Sequence, residues 1–298
     1  MYFCGSQDIP MYDQKDIIFI INPSSGGKKV NSILKQLSEL HSEIDYFVSH
    51  SKEAFDRFVE SNIDQYKVFV ICGGDGTINT ALKYFAENED KILAVLPNGS
   101  GDGFANEMGF KNDLETLLDK IKLGNVKYVD LVKINNGYSC NMIGLGLDSH
   151  IASDFEKSKS RGLANYMLAT VKALFKYKRI SASIEVDDQT FSGEYLMINI
   201  ANTRQFGNNF YIAPDAKFDD GLLDVILVKP LPFYLFPKML YNMIRGISTS
   251  SSYVQTMKAS RLSISSNSAN YHIDGECMPM PDKLDISIYR QIKIINTQ

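Results

Sequence analysis

Val68-Phe69-Val70-Ile71-Cys72-Gly73-Gly74-Asp75-Gly76-Thr77 (VFVICGGDGT) is the stretch from which the fold can be read. Its continuous apolar run is short and rich in β-branched residues, as a strand covered on both faces should be. The run stops at two glycines, which let the backbone approach a phosphate with its N–H groups pointing at the anion. Asp75 sits in the middle of the turn, where a carboxylate beside phosphate oxygens serves as a magnesium ligand or a proton acceptor. Thr77 is expected to cap the helix that follows, Ile78–Glu87, whose N-terminus presents a positive dipole end. The same residues also suit a plain strand-to-helix turn, and this motif alone does not separate the two.

The pattern repeats on both sides. Lys15–Asn22 (KDIIFIIN) is an Ile-rich strand ending in Asn22-Pro23-Ser24-Ser25-Gly26-Gly27-Lys28, after which Val30, Ile33, Leu34, Leu37 and Leu40 recur at helical spacing. Ile44–Val48 reads as a second strand and Ala54–Val59 as part of a second helix. Ile92–Leu96 is a fourth strand, followed by Pro97-Asn98-Gly99-Ser100-Gly101-Asp102-Gly103-Phe104-Ala105. Strands alternating with helices imply right-handed βαβ units on a parallel sheet, with ligands beyond the carboxyl ends of the strands. The loop at Asn22 does not match a P-loop, and a lone glycine-rich turn is common. All three loops at one sheet edge favour binding of nucleotide phosphates.

From about Asp130 the texture changes. Tyr128–Ile134, Ser139–Ile143, Ser181–Val186, Phe191–Ala201, Leu222–Lys229, Arg261–Ser265 and Leu284–Ile288 are β-rich pieces broken by turns, interrupted by a helical stretch, Arg161–Arg179. An antiparallel β domain after an α/β domain is predicted. Within it, Asp215–Leu222 (DAKFDDGL) is either a solvated hairpin turn or a cation site built from a carboxylate and backbone carbonyls. Tyr271–Glu276 (YHIDGE) is either an Asp-Gly turn or a carboxylate pair delivering a general base.

Composition narrows the class. The chain has 298 residues, 44% hydrophobic and 22% charged, and 31 − 35 gives a net charge of −4, so no global basic field recruits nucleic acid. The longest apolar runs, Ile17–Ile21 and Val68–Cys72, are far short of the ~20 residues of a membrane-spanning helix. No signal pattern opens the sequence. Cys4, Cys72, Cys140 and Cys277 form no CxxC pair, and His41, His50, His150 and His272 are equally scattered. A cytoplasmic protein without a zinc site or disulfide framework is expected.

Taken in order, NPSSGG, GGDGT, LPNGSGDGFA, GLGLDS, YIAPDAKFDDGLLDV and HIDGE resemble the motif series of the diacylglycerol kinase catalytic-domain family, from about Asp16 to Glu276. That family includes sphingosine and ceramide kinases and soluble bacterial lipid kinases. The resemblance implies an ATP- and Mg²⁺-dependent transfer of the γ-phosphate to a lipid hydroxyl, with diacylglycerol or a related glycerolipid as the first choice. It implies a Rossmann-like α/β domain over 13–133, to which 284–298 returns, a β-rich sandwich-like domain over 134–283, and an active site in the cleft between them. By the same resemblance, Asn22, Pro23, Ser24, Ser25, Gly26, Ser49, Gly73, Gly74, Asp75, Gly76, Thr77, Ile78, Asn79 and Ser100 line the ATP site. Lys217 and Leu222 (through carbonyls) and Asp220 (through its side chain) hold a structural magnesium. Glu276 accepts the proton of the lipid hydroxyl and Asp75 stands near the catalytic metal, although these two roles can be exchanged.

The chain departs from the family at Asp102, where Asn is usual, at Asn106, often Arg, and at Asn208-Asn209, often glycines. Asp102 and Asp148 are candidates for contacting a head group, which tilts the lipid toward an amine-bearing sphingoid base. Ceramide is a further alternative. NAD kinase shares the GGDGT loop but has no natural place for the Asp215 segment, and a non-catalytic ATP- and lipid-binding regulator is the alternative of a different class. Arg161–Arg179, with Leu163, Met167, Val171, Leu174 and Phe175 along one stripe, is either a membrane-surface helix or a core-packed one. Leu231–Leu240 (LPFYLFPKML) is either a membrane-dipping loop or ordinary packing, so peripheral membrane contact is expected as an option, and a homodimer stays open.

Overall fold

A computed structural model of the chain describes residues 12–25, 29–39, 44–99, 101–147, 179–205, 207, 210–248 and 251–297. The predicted helix Arg161–Arg179, except for Arg179, lies outside them. β1 (Ile17–Ile21) and β3 (Val68–Gly73) are buried at every position, as continuous apolar strands in a two-sided sheet must be. Around them follow α1 (Lys29–Glu39), β2 (Asp45–Val48), α2 (Lys52–Asn62), α3 (Asp75–Glu87), β4 (Ile92–Pro97), α4 (Gly103–Met108) and α5 (Leu114–Leu123). The four strands run parallel in the order β2-β1-β3-β4. The chain moves outward in opposite directions from β1 and β3, so a crevice opens beyond their carboxyl ends. The loops at Asn22 and Gly73 stand there.

Past β4 the sheet turns antiparallel. β16 (Leu284–Ile295) pairs parallel with β4 at Lys293–Ile294, and antiparallel with β5 (Val126–Ile134) and β13 (Arg261–Ser266). β8 (Ile180–Val186) and β9 (Gln189–Tyr195) extend it, and β6 (Gly137–Ser139) joins β5. A second, six-stranded sheet has the order β12 (Val254–Ala259), β11 (Leu223–Val228), β10 (Met197–Ala201), β7 (Met142–Gly146), β14 (Asn270–Ile273) and β15 (Glu276–Pro279). Ile143, Ile198 and Val225 of this sheet meet Ile184, Leu262 and Ile286 of the first in one sandwich core. The architecture is thus the expected parallel α/β unit followed by an antiparallel β-rich one.

Three boundaries differ from the sequence expectation for physical reasons. Phe191–Ala201 is two strands, β9 and β10, which belong to different sheets and part at Leu196. β16 runs on well past Ile288, because Ile292, Ile294 and Ile295 are buried in the α/β core while Leu284 and Ile286 are buried in the sandwich core. Leu231–Leu240 begins a helix, α6 (Phe236–Arg245), with Pro237 in its first turn where a missing N–H costs nothing. Since β16 contributes to both cores, Ile294→Ala is expected to cost about 2–5 kcal/mol. Urea denaturation followed by circular dichroism checks this, and a midpoint equal to wild type would exclude a shared load on this strand.

Candidate active site

α3 begins at Asp75, with Gly74 as its N-cap in extended backbone. Thr77 therefore lies inside the first turn rather than at the cap expected for it. Its N–H bonds the Gly74 carbonyl, and its Oγ1 accepts from Asn22 Nδ2 at 2.8 Å. Glycine at 73 permits this, since a Cβ there would sit 2.5 Å from Thr77 Oγ1. Asn22 Oδ1 accepts from the Ser24 N–H at 2.9 Å, closing the turn through Pro23. Ser25 Oγ donates to the Asn98 carbonyl (3.1 Å) and Asn98 Nδ2 donates to the Ser25 carbonyl (2.9 Å). Asn98 is fully buried, and its Oδ1 has no donor among the described residues.

The second and third loops touch through their backbones: a Cβ at Gly99 would come within 2.7 Å of the Gly74 Cα. Asp75 Oδ2 accepts from the Gly103 N–H at 2.9 Å and Oδ1 from the Phe104 N–H at 3.1 Å, so it caps α4. Burial, joined by the like charges of Asp102 and Asp274, outweighs these two bonds and pushes the Asp75 carboxyl up to about 7. Asp102 is in the left-handed conformation at φ 48°, which short polar side chains tolerate. Both its oxygens accept from the Gly99 N–H, at 2.8 and 3.1 Å, so it is engaged within its own loop.

From the β-rich side, β14 and β15 are joined by the left-handed pair Asp274 (φ 50°) and Gly275 (φ 91°). This is the Asp-Gly turn read from the sequence. Asp274 is also a buried hub that the sequence did not distinguish. Its carboxylate accepts from Ser139 Oγ (2.5 Å), the Met142 N–H (3.0 Å), the Asn141 N–H (3.2 Å) and Asn79 Nδ2 (2.9 Å). Burial nonetheless raises its pKa. Asn79 Nδ2 also donates to the Tyr138 carbonyl at 2.8 Å, so this residue bridges α3 to the β-rich half. The turn brings Glu276 over the start of α3, where a Cβ on Gly76 would collide with Glu276 Oε1.

Other predicted residues fall elsewhere. The Ile78 side chain is buried in the α/β core. Ser49 Oγ donates to the Ser51 carbonyl at 2.9 Å. Gly26, Ser100 and Asp148 lie outside the described residues. Asn106 Nδ2 donates to the Gly101 carbonyl at 3.0 Å. A contact with no sequence signal is the buried Glu107 of α4, which accepts from Arg204 Nε (2.6 Å) and Gln205 Nε2 (3.0 Å). Nearby, Gly207 at φ 130° leaves no room for a Cβ, which would lie 2.8 Å from the Gly101 carbonyl oxygen.

The Lys217–Leu222 segment fits the structural magnesium implied by the family poorly. Asp220 Oδ1 accepts from the Leu222 N–H at 3.1 Å, and Oδ2 accepts from the Lys258 ammonium at 2.9 Å. Lys258 also lies 3.4 Å from Asp224 Oδ2, so an internal cation neutralises this pair.

Comparison with known proteins agrees with this arrangement. Residues 16–134 match the diacylglycerol kinase catalytic domain, and residues 141–290, half the chain, match the YegS C-terminal NAD kinase beta sandwich-like domain. The chain belongs to the diacylglycerol kinase catalytic-domain family. Among its relatives, a diacylglycerol kinase of Bacillus subtilis is 25% identical, over 93% of this chain and 94% of its own. A probable lipid kinase YegS-like of Shewanella frigidimarina is 30% identical, over 72% and 74%. A solved putative diacylglycerol kinase of Bacillus anthracis superposes with a TM-score of 0.73 at 19% identity, covering 95% of this chain and 97% of that one. The fold and both catalytic-family domains are therefore those of lipid kinases, and the NAD kinase and regulator readings gain nothing.

The Asp75 environment makes a pH prediction. Its carboxyl is raised from 3.8 to about 7, so ionisation opposes folding and stability falls as pH rises through that interval. The upper bound is about 4 kcal/mol. In ligand-free protein, Asp75→Asn is expected to flatten the fall in Tm between about pH 4 and pH 7. Parallel Tm curves for variant and wild type would refute the assignment.

Proposed function

We propose that this protein transfers the γ-phosphate of ATP to a hydroxyl of diacylglycerol or a related glycerolipid. The observation that carries the reading is the placement of Glu276, delivered by the β14–β15 turn onto Gly76 at the head of α3. That position puts a carboxylate from the β-rich half beside the glycine loops of the α/β half. Backbone N–H groups at the head of α3 serve the phosphates, with the positive end of the helix dipole behind them, which suits a reaction that needs positioning and charge neutralisation more than covalent help. The magnesium that accompanies ATP supplies neutralisation of the phosphate oxygens.

Glu276 then takes the proton of the lipid hydroxyl as its oxygen bonds to the γ-phosphorus and the bond to the bridging oxygen of ADP breaks. Asp75 is the weaker candidate for that task, because both its oxygens are already committed to the amides of α4. It acts by holding α4 and the third loop in place. Engagement of Asp102 with Gly99 removes the main reason to favour a cationic sphingoid head group.

Two variants test the assignment. Glu276→Gln is expected to lower transfer of labelled phosphate from ATP into a total lipid extract by about 10²-fold or more while ATP binding is retained. Undiminished turnover would remove Glu276 from the chemistry, and mass spectrometry of the wild-type product names the lipid. Gly76→Ala is expected to reduce turnover to a similar degree by displacing the Glu276 carboxylate. Activity equal to wild type would mean that Glu276 works from another position.

A further inference from the structure

Ten large apolar side chains stand exposed among the described residues, and five of them, Phe233, Tyr234, Tyr241, Ile244 and Ile247, cluster just after β11. They occupy a 3-10 turn (Phe233–Leu235), α6 and the residues behind it. α6 already has an inward face: Phe236 and Met239 pack on the outer core of the second sheet, and Met243 is buried. A surface helix with its core face satisfied is normally polar on the other side. Here the other side carries Tyr241 and Ile244, with Tyr234 of the preceding turn 75% exposed.

Charge completes the pattern. From Lys229 to Ile247 the chain holds Lys229, Lys238 and Arg245 and no Asp or Glu, although its net charge is −4. Rings and branched aliphatics on one exposed face, flanked by cations, match the interface of an anionic bilayer. The apolar groups enter among the acyl chains while the cations meet phosphate. The helix that carries this face is also tied to the cleft. The Tyr211 N–H donates to the Met243 carbonyl at 2.9 Å, and the Arg204 guanidinium lies over the Tyr211 ring at 5.9 Å. Arg204 in turn holds Glu107 of α4, whose first amides hold Asp75.

We propose that the outward face of α6 and the turn before it is the surface on which this protein docks onto an anionic phospholipid bilayer, presenting its cleft to the membrane. The proposal rests on the lipid-kinase reading for its biological sense, but its test does not. The chain contains no tryptophan, so a single Tyr234→Trp is a clean reporter, with Tyr46→Trp on β2 as a control equally free of the face. With vesicles of phosphatidylcholine and phosphatidylglycerol, emission of the Tyr234→Trp protein is expected to shift to the blue and to be quenched by brominated acyl chains. Tyr46→Trp should do neither, and pure phosphatidylcholine should bind less well.

Lys238→Glu with Arg245→Glu is expected to weaken vesicle binding by about tenfold or more. The same double variant should leave transfer to a dispersed short-chain diacylglycerol unchanged. A silent reporter at 234, an equal response at 46, or a shift at 234 produced by self-association without vesicles would overturn the docking surface. Vesicle binding through this face with no phosphate transfer to any lipid would instead sink the kinase reading and leave the surface standing.

Discussion

The structure depends on backbone contact between loops that ordinary side chains would hold apart. Gly74 and Gly99 approach so closely that a Cβ at Gly99 would lie 2.7 Å from the Gly74 Cα, and Thr77 folds back over Gly73. Short polar groups then lace the loops: Asn22 to Thr77, Ser25 to Asn98, Asp75 to α4. The parallel sheet sets this up, because strands β1, β3 and β4 end side by side and their loops must share one crevice. A fixed arrangement of the three loops follows from packing, before any ligand contributes.

A second constraint joins the two halves. β16 is buried in one core at its start and in the other at its end, so neither core is complete without it. Asp274 does the same for the site, binding Ser139 and Met142 on its own side and Asn79 on α3. Removing one partner from so buried a network leaves several donors unpaired, which costs about 1–3 kcal/mol for each. The position of Glu276 therefore follows from the fold, since the turn that carries it is anchored to the helix it must face.

Much of this was legible in the sequence. The alternation of strands and helices, the three loops at one edge and the Asp-Gly turn are local patterns, and each appears where it was read. What was not legible depended on partners distant in the chain. Nothing near Glu107 marks it as the partner of Arg204, and nothing near Asp220 announces Lys258. Thr77 looked like a cap because Ser and Thr usually are. It is drawn inward instead by Asn22, 55 residues earlier. Asp102 read as a departure from the family's usual Asn and as a head-group candidate, whereas its left-handed backbone and the Gly99 amide explain a short acid there. Leu231–Leu240 was open between a membrane-dipping loop and ordinary packing because composition alone cannot say which of its apolar residues a core will cover.

Charge bears on how the proposed site would hold a triphosphate. The loop segments 22–25, 73–77 and 97–104 contain two acids, Asp75 and Asp102, and no Lys or Arg. Asp274 and Glu276 add further carboxylates from the other side. An anionic ligand entering such a cleft would be repelled unless the acids were compensated first. Asp102 and Asp75 are compensated by amides of Gly99, Gly103 and Phe104, and Asp75 is further relieved because its carboxyl titrates only near neutrality. Carboxylates turned onto their own backbone thus serve as fixed struts, at the expense of amides that would otherwise face the ligand. Under the proposed function, a cation that accompanies the nucleotide would add to that compensation.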